Sequence, residues 1–245
     1  MNTAVMTKPI VEASPRSTAR IVGFFWLMTI VLGSFALVGD KLVVAGDAAA
    51  TAANILAHES SFRLGLAANL VAGLCYLTAT VFVYALLKPV NRNVSLLAAF
   101  FSLAGCAVSG LTLVFQLAPL AVLKGASYLS AFPVEQLQAQ AFTFLSLRAQ
   151  AFYIGHVFFG LHCLLVGCLI FRSGYLPRVI GALMVCAGLG WLTMSFSNLL
   201  LPPLGHSLDP FIIIPGAIGE LSLTLWLLVR GVNVRKWERR VLATG

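Results

Sequence analysis

"GHVFFGLHCLLVGCLIFR", Gly155–Arg172, decides the kind of protein this chain makes. No Lys, Arg, Asp or Glu interrupts it before Arg172. It belongs to a run, 150–171, that matches the length of about 20 apolar residues needed to cross a bilayer as a helix. Working outward, five more such runs appear, at 21–39, 64–87, 94–123, 178–201 and 211–230. Of the 245 residues, 60% are hydrophobic and only 10% are charged. A soluble domain carries about 25% charged residues, so this surface calls for lipid as its solvent. The expected fold class is all-α: a polytopic bundle of six transmembrane helices, with short helices on its outer surface.

The run ends carry stop signals. Lys88-Pro89 closes the second run, because a residue before proline leaves the helical region. Pro177 opens the fifth, and Asp209-Pro210 stands before the sixth. The apolar core of the first run exceeds that of a cleaved signal peptide, which predicts an anchor that is kept. Between the runs, Asp47 is a good N-cap for an alanine-rich helix with Ala48, Ala52, Ile55 and Leu56 on one face. Pro133 suits the start of a second surface helix, whose sequence runs on into the fourth span.

Basic residues set the orientation. With the N-terminus inside, Lys8, Arg16, Arg20, Lys88, Arg92, Arg172, Arg178, Arg230, Arg235, Lys236, Arg239 and Arg240 fall on the inner side. Lys41, Arg63, Lys124 and Arg148 fall on the outer side, four against twelve. This positive-inside asymmetry puts both termini of a multi-pass membrane protein in the cytoplasm. The expected organisation is a cytoplasmic tail at 1–20, a transmembrane domain at 21–230 and a basic cytoplasmic tail at 231–245. That last tail, with Trp237, suits anionic headgroups better than nucleic acid.

Three segments carry a family resemblance: "GDAAATAANILAHESSFRLG", "GLHCLLVGCLIFRSGYLPRVIG" and "GELSLTLWLLVRG". They resemble the signature segments of the bacterial membrane family called domain of unknown function 4386, over about Ser17 to Gly231. The resemblance implies a small six-helix integral membrane protein in bacteria, which with the charge asymmetry places it in the bacterial cytoplasmic membrane. It implies no activity and no catalytic residue, so chemistry has to be read from the residues.

Helices in lipid associate through small residues and interhelical hydrogen bonds. Stripes of that kind include Asn69, Gly73 and Tyr76 in the second span, and Gly105, Ser109 and Gln116 in the third. His156, Gly160 and Cys163 form one in the fourth span, and Trp191 and Asn198 lie on one in the fifth. These stripes fit either a close-packed bundle or a polar-lined cavity. Glu220 stands apart, about ten residues into the last span and therefore near the midplane. A carboxyl at that depth is expensive and points to function. His162 lies at similar depth, which raises a contact between the two. His156 and His162 are six residues apart, about 120° around a helix, so they cannot chelate one metal from one face.

The candidate catalytic groups are thus Glu220, His162 and His156. The candidate ligand contacts are Asn69, Tyr76, Gln116, His156, His162, Asn198 and Glu220. At the outer rim, His58, Arg63 and Arg148 are candidates for an anion or a lipid phosphate, or for pairing with Asp40, Asp47 or Glu59. No histidine pair fixed by spacing suggests haem, and there are too few histidines and carboxylates for a di-iron centre. The expectation is no metal site and no cofactor. The five cysteines lie in apolar runs and read as buried packing residues. The chain lacks a G-x-S-x-G elbow, an H-E-x-x-H motif and a phosphate-binding loop. Three functions remain: binding or transport of a small apolar or amphipathic molecule, acid–base chemistry on a lipid-like substrate, or a structural subunit. The partner common to all three is the bilayer, and oligomeric state is open.

Overall fold

The computed structural model describes residues 14–35 and 39–243, which form eight α-helices and one short 3-10 helix. These are α1 (Pro15–Gly33), α2 (Ala48–Ala57), α3 (Glu59–Leu87), α4 (Arg92–Leu123), α5 (Val134–Ser173), α6 (Arg178–Leu200), α7 (Pro202–Val229) and α8 (Val234–Leu242). The 3-10 turn, Ser127–Ala131, lies between α4 and α5. Side-chain caps start several of them. Ser14 accepts from the Ser17 amide, Asp47 from Ala50, Asn91 from Val94 and Asn233 from Lys236. Gly174, at φ 75°, ends α5 in the left-handed conformation that glycine adopts without strain.

Helices α3 to α7 are each long and apolar enough to cross a membrane. Their outward faces confirm the solvent: Phe100 is 58% exposed and Val114 61%, both deep inside α4. Large side chains would not line a mid-helix surface this way in water. The chain is a polytopic helical membrane protein. Helix α1 is shorter, carries Arg16 and Arg20 near its start, and is not one of those five. The far end of the expected first span, residues 36–38, lies outside the described residues, as does most of the 1–20 tail.

Each of α3 to α7 packs on its neighbour in sequence, and α1 packs on both α3 and α7. The six helices therefore make a closed ring. One end of the ring is solid. There Val22, Trp26, Leu87, Val166, Ile170, Met184, Leu223 and Leu227 are buried together with Tyr175 and Val232. Two donors, the Tyr175 hydroxyl at 2.8 Å and the Trp237 indole at 3.0 Å, share the Leu86 carbonyl near the end of α3. That arrangement satisfies an orphan helix-terminal acceptor and pins the α5–α6 turn and α8 to the bundle. Burial also pushes the Tyr175 phenol pKa well up. The other end is closed by a smaller cluster of Ile55, Phe62, Leu120 and Leu145, which seats α2 over the bundle as a cap. Between the two clusters the ring is hollow.

Several expectations change here. The last span does not begin at residue 211: α7 starts at Pro202 and carries Pro210 and Pro215 inside it. Near lipid an irregular stretch would strand its backbone groups, so the helix continues through both prolines. Leu56 does not share the buried face of α2, being 44% exposed; Thr51 takes its place beside Ala52 and Ile55. Among the cysteines only Cys163 is buried, while Cys168 and Cys186 lie on the outer surface. Pro133 and Pro177 sit at the N-cap positions of α5 and α6 rather than inside them. The surface helix before the fourth span does run unbroken into it, making α5 a single helix of 40 residues.

Candidate functional site

The hollow is a cavity of about 650 Å³, lined from all six ring helices. At its floor stands Glu220, half-buried because one side faces the open space. Its Oε1 accepts the Trp191 indole N–H at 2.8 Å and lies 3.9 Å from the Cys163 thiol. Its Oε2 is 3.5 Å from the Trp26 indole nitrogen. The carboxyl is thus held by α1, α5 and α6 at once.

Aromatic rings close a loop around it. Trp26 meets Tyr76 edge-on at 5.7 Å, Tyr76 meets Phe159 at 5.0 Å, and Phe159 meets His156 at 5.6 Å. His156 then meets Trp191 at 5.2 Å. Both ends of this arc, Trp26 and Trp191, donate to Glu220. The result is a collar of five rings completed by one carboxyl. These edge-to-face geometries are the favoured ones for aromatic pairs.

Above the collar the wall is mixed. Asn69 of α3 and Gln116 of α4 line it, and Gln116 is only 2% exposed. Gly73 and Gly110 line it too, and a Cβ built on either would meet nothing within 4 Å. At the cap end Arg148 pairs with Asp40, and both border the cavity. Arg148 and Phe159 are eleven residues apart on α5, so the cavity reaches about 16 Å from collar to cap.

The structure sorts the sequence candidates. Glu220, His156, Tyr76, Asn69, Gln116 and Arg148 come together on one cavity. His162 does not contact Glu220, as its depth had suggested. Its Nδ1 lies 2.8 Å from the Ala98 carbonyl, it is 1% exposed, and its ring packs on Trp26 and Tyr76 behind the cavity wall. The Cys163 thiol and two indoles occupy the sides of Glu220 where a histidine was sought. Asn198 is also away from the cavity. It donates to Asp209 at 2.7 Å, and the Tyr153 hydroxyl donates to the same carboxylate at 3.2 Å. Arg63 and Lys124 both pair with Glu59, and His58 is exposed at the end of α2. Among the described residues no three His, Cys, Asp or Glu side chains are placed to hold a metal.

Trp26, Phe159 and Asp40 were not among the sequence candidates for ligand contact. A signal for Trp26 existed. Tryptophan in membrane proteins concentrates at the interfaces, where its N–H meets water. Trp26 and Trp191 lie well inside their helices, so each needs an internal acceptor, and Glu220 is the acidic side chain at that depth.

Comparison with known proteins gives a family and no activity. An uncharacterized protein from Archaeoglobus fulgidus is 28% identical over 154 residues, covering 63% of this chain and 75% of its own. No solved structure matches the chain. The model of the family described as "Domain of unknown function (DUF4386)" matches residues 21–231, nearly the whole bundle, and the chain belongs to that family.

Proposed function

We propose that this protein binds, and carries across or within the membrane, a small apolar or amphipathic molecule. The observation that supports this best is the cavity of about 650 Å³ with Glu220 at its floor. A volume of that size suits a drug-sized ligand, and an apolar wall with a few convergent polar groups is what such sites share. Gln116 and Asn69 offer their amides to it, and the carboxyl of Glu220 offers charge or a proton.

In this reading α1 is a sixth span, and the transmembrane domain occupies 21–230. The basic side of the bundle faces the cytoplasm of a bacterial cell, with both termini there. The Arg148–Asp40 end of the cavity then faces outward. The basic helix α8 lies on anionic headgroups, and nucleic acid has no part.

The reading is tested by native mass spectrometry of the protein released from its own membranes. A small-molecule adduct is expected on the unaltered chain and absent from Glu220→Gln, with both eluting as the same folded species. A chain that carries no adduct in any membrane preparation, or a Gln variant that carries it undiminished, sinks the reading.

A second reading, an intramembrane enzyme on a lipid-like substrate, draws on His156 and Glu220 lining the same cavity. Trp191 touches both, its indole N–H on Glu220 and its ring against His156, so acid and base would act on a substrate beside that indole. Lipid mass spectrometry of membranes with and without the protein separates the two readings, because only the enzyme yields a new product.

A further inference from the structure

We infer that the cavity's ligand is an amphipathic organic cation, a protonated or quaternary amine with an apolar tail, bound with its head in the aromatic collar. This rests on the binding reading above and gives it a substrate class.

The first support is charge. The described hydrogen-bond partners of Glu220 are two indole N–H groups and a thiol, all neutral. None of the three ion pairs among the described residues involves it. A carboxylate away from water is costly unless an opposite charge stands beside it. A ligand ammonium supplies that charge at the one place where the bundle leaves room for it.

The second support is the collar itself. Trp191, Tyr76 and Phe159 all border the cavity next to Glu220. Aromatic faces attract a cation within about 6 Å of the ring centroid, and aromatic boxes with a nearby carboxylate suit ammonium heads that hydrogen bonds alone cannot hold. An anionic head would face the same rings and carboxyl unfavourably. Its natural partner, Arg148, is already engaged by Asp40.

The third support is the place for a tail. Above the collar, Leu74, Leu77 and Leu113 line the wall. Gly73 of α3 and Gly110 of α4 leave open space where side chains would have closed it. Leu70 and Leu74 of α3, 52% and 56% exposed, also border the cavity. The α3 side of the cavity therefore offers an apolar tail a surface of leucine rather than of polar groups.

Three matched probes test the class: phenylbutylammonium, phenylbutanol and phenylbutyrate. Each is titrated against the protein in nanodiscs of uncharged lipid, with empty nanodiscs as the blank, and read by quenching of tryptophan emission. The ammonium is expected to bind tighter than the alcohol by on the order of tenfold or more, with the carboxylate weakest. Glu220→Gln is expected to bring the ammonium down to the level of the alcohol and to leave the alcohol unchanged. Equal binding of ammonium and alcohol, preference for the carboxylate, or a Gln variant with its cation preference intact overturns the inference while alcohol binding still supports the cavity. Failure of all three probes to bind overturns the binding reading as well. The ranking of probes on the unaltered chain decides the class even where the Gln variant fails to insert.

Discussion

The two histidines of α5 show how much a single side chain's surroundings decide. His156 sits on the cavity wall against Phe159 and Trp191. His162, less than two turns further on, is sealed off and ties α5 to the Ala98 carbonyl of α4. Substituting His162 by Leu should lower stability by about 1 kcal/mol or more, because the bond is lost in a site with no water to replace it. His156→Leu should leave stability within about 0.5 kcal/mol, since its ring borders open space and its loss strands no buried partner. Thermal unfolding followed by circular dichroism checks both. Equal losses would mean that the wall at His156 is packed rather than open. The divergence of the two rings was readable from their six-residue spacing. Which of them faced Glu220 was not, because depth in a span says nothing of the direction a neighbour faces.

At the scale of helices, glycine does two opposite jobs in this bundle. A Cβ on Gly181 of α6 would lie 2.6 Å from the Phe171 amide nitrogen and 2.8 Å from the Gly167 carbonyl oxygen, backbone atoms that cannot turn aside. Gly181→Ala should therefore force α5 and α6 apart at a cost of about 1–3 kcal/mol. A Cβ on Gly110 meets nothing, so Gly110→Ala should be neutral or stabilising by up to ~1 kcal/mol through helix propensity. Melting temperatures of the two variants, measured side by side, should move in opposite directions or only one should move. If both fall alike, the gap between α3 and α4 is closed in the membrane. Sequence shows both only as glycines inside apolar runs, and that is the same whether a neighbour fills the notch or leaves it empty. The element types were legible for a stronger reason: runs of about 20 apolar residues have few alternatives in lipid. The start of α7 was not, because Pro210 is a helix-start signal in water, and near lipid the need to pair backbone groups outweighs it.

At the scale of the whole molecule, the proposed basic-side-in orientation would give the cavity a direction. The solid end of the ring carries Tyr175, Trp237 and the basic helix α8, and the hollow end carries the cap. If the proposed orientation holds, the solid end lies at the cytoplasm and the capped end of the cavity lies outside. Green fluorescent protein fused after Gly245 should fluoresce in cells, and alkaline phosphatase fused at the same point should stay inactive. The reverse pattern would turn the molecule over and make the cavity face the cytoplasm. The family match, the helical class and the multi-pass character were all legible in the sequence because they follow from long patterns. The closed ring was not, since it depends on α1 meeting α7, and no local pattern reports a contact between residues 194 positions apart, as Trp26 and Glu220 are.

That separation also sets a clock. At about 5–20 residues per second, a ribosome reaches Glu220 roughly 10–40 s after it has passed Trp26. For that interval α1 has its indole without the Glu220 acceptor and one flank bare, awaiting a helix not yet made. The collar therefore cannot close until α7 has been made. Any chain that stops short of Glu220 lacks the acceptor that both indoles need.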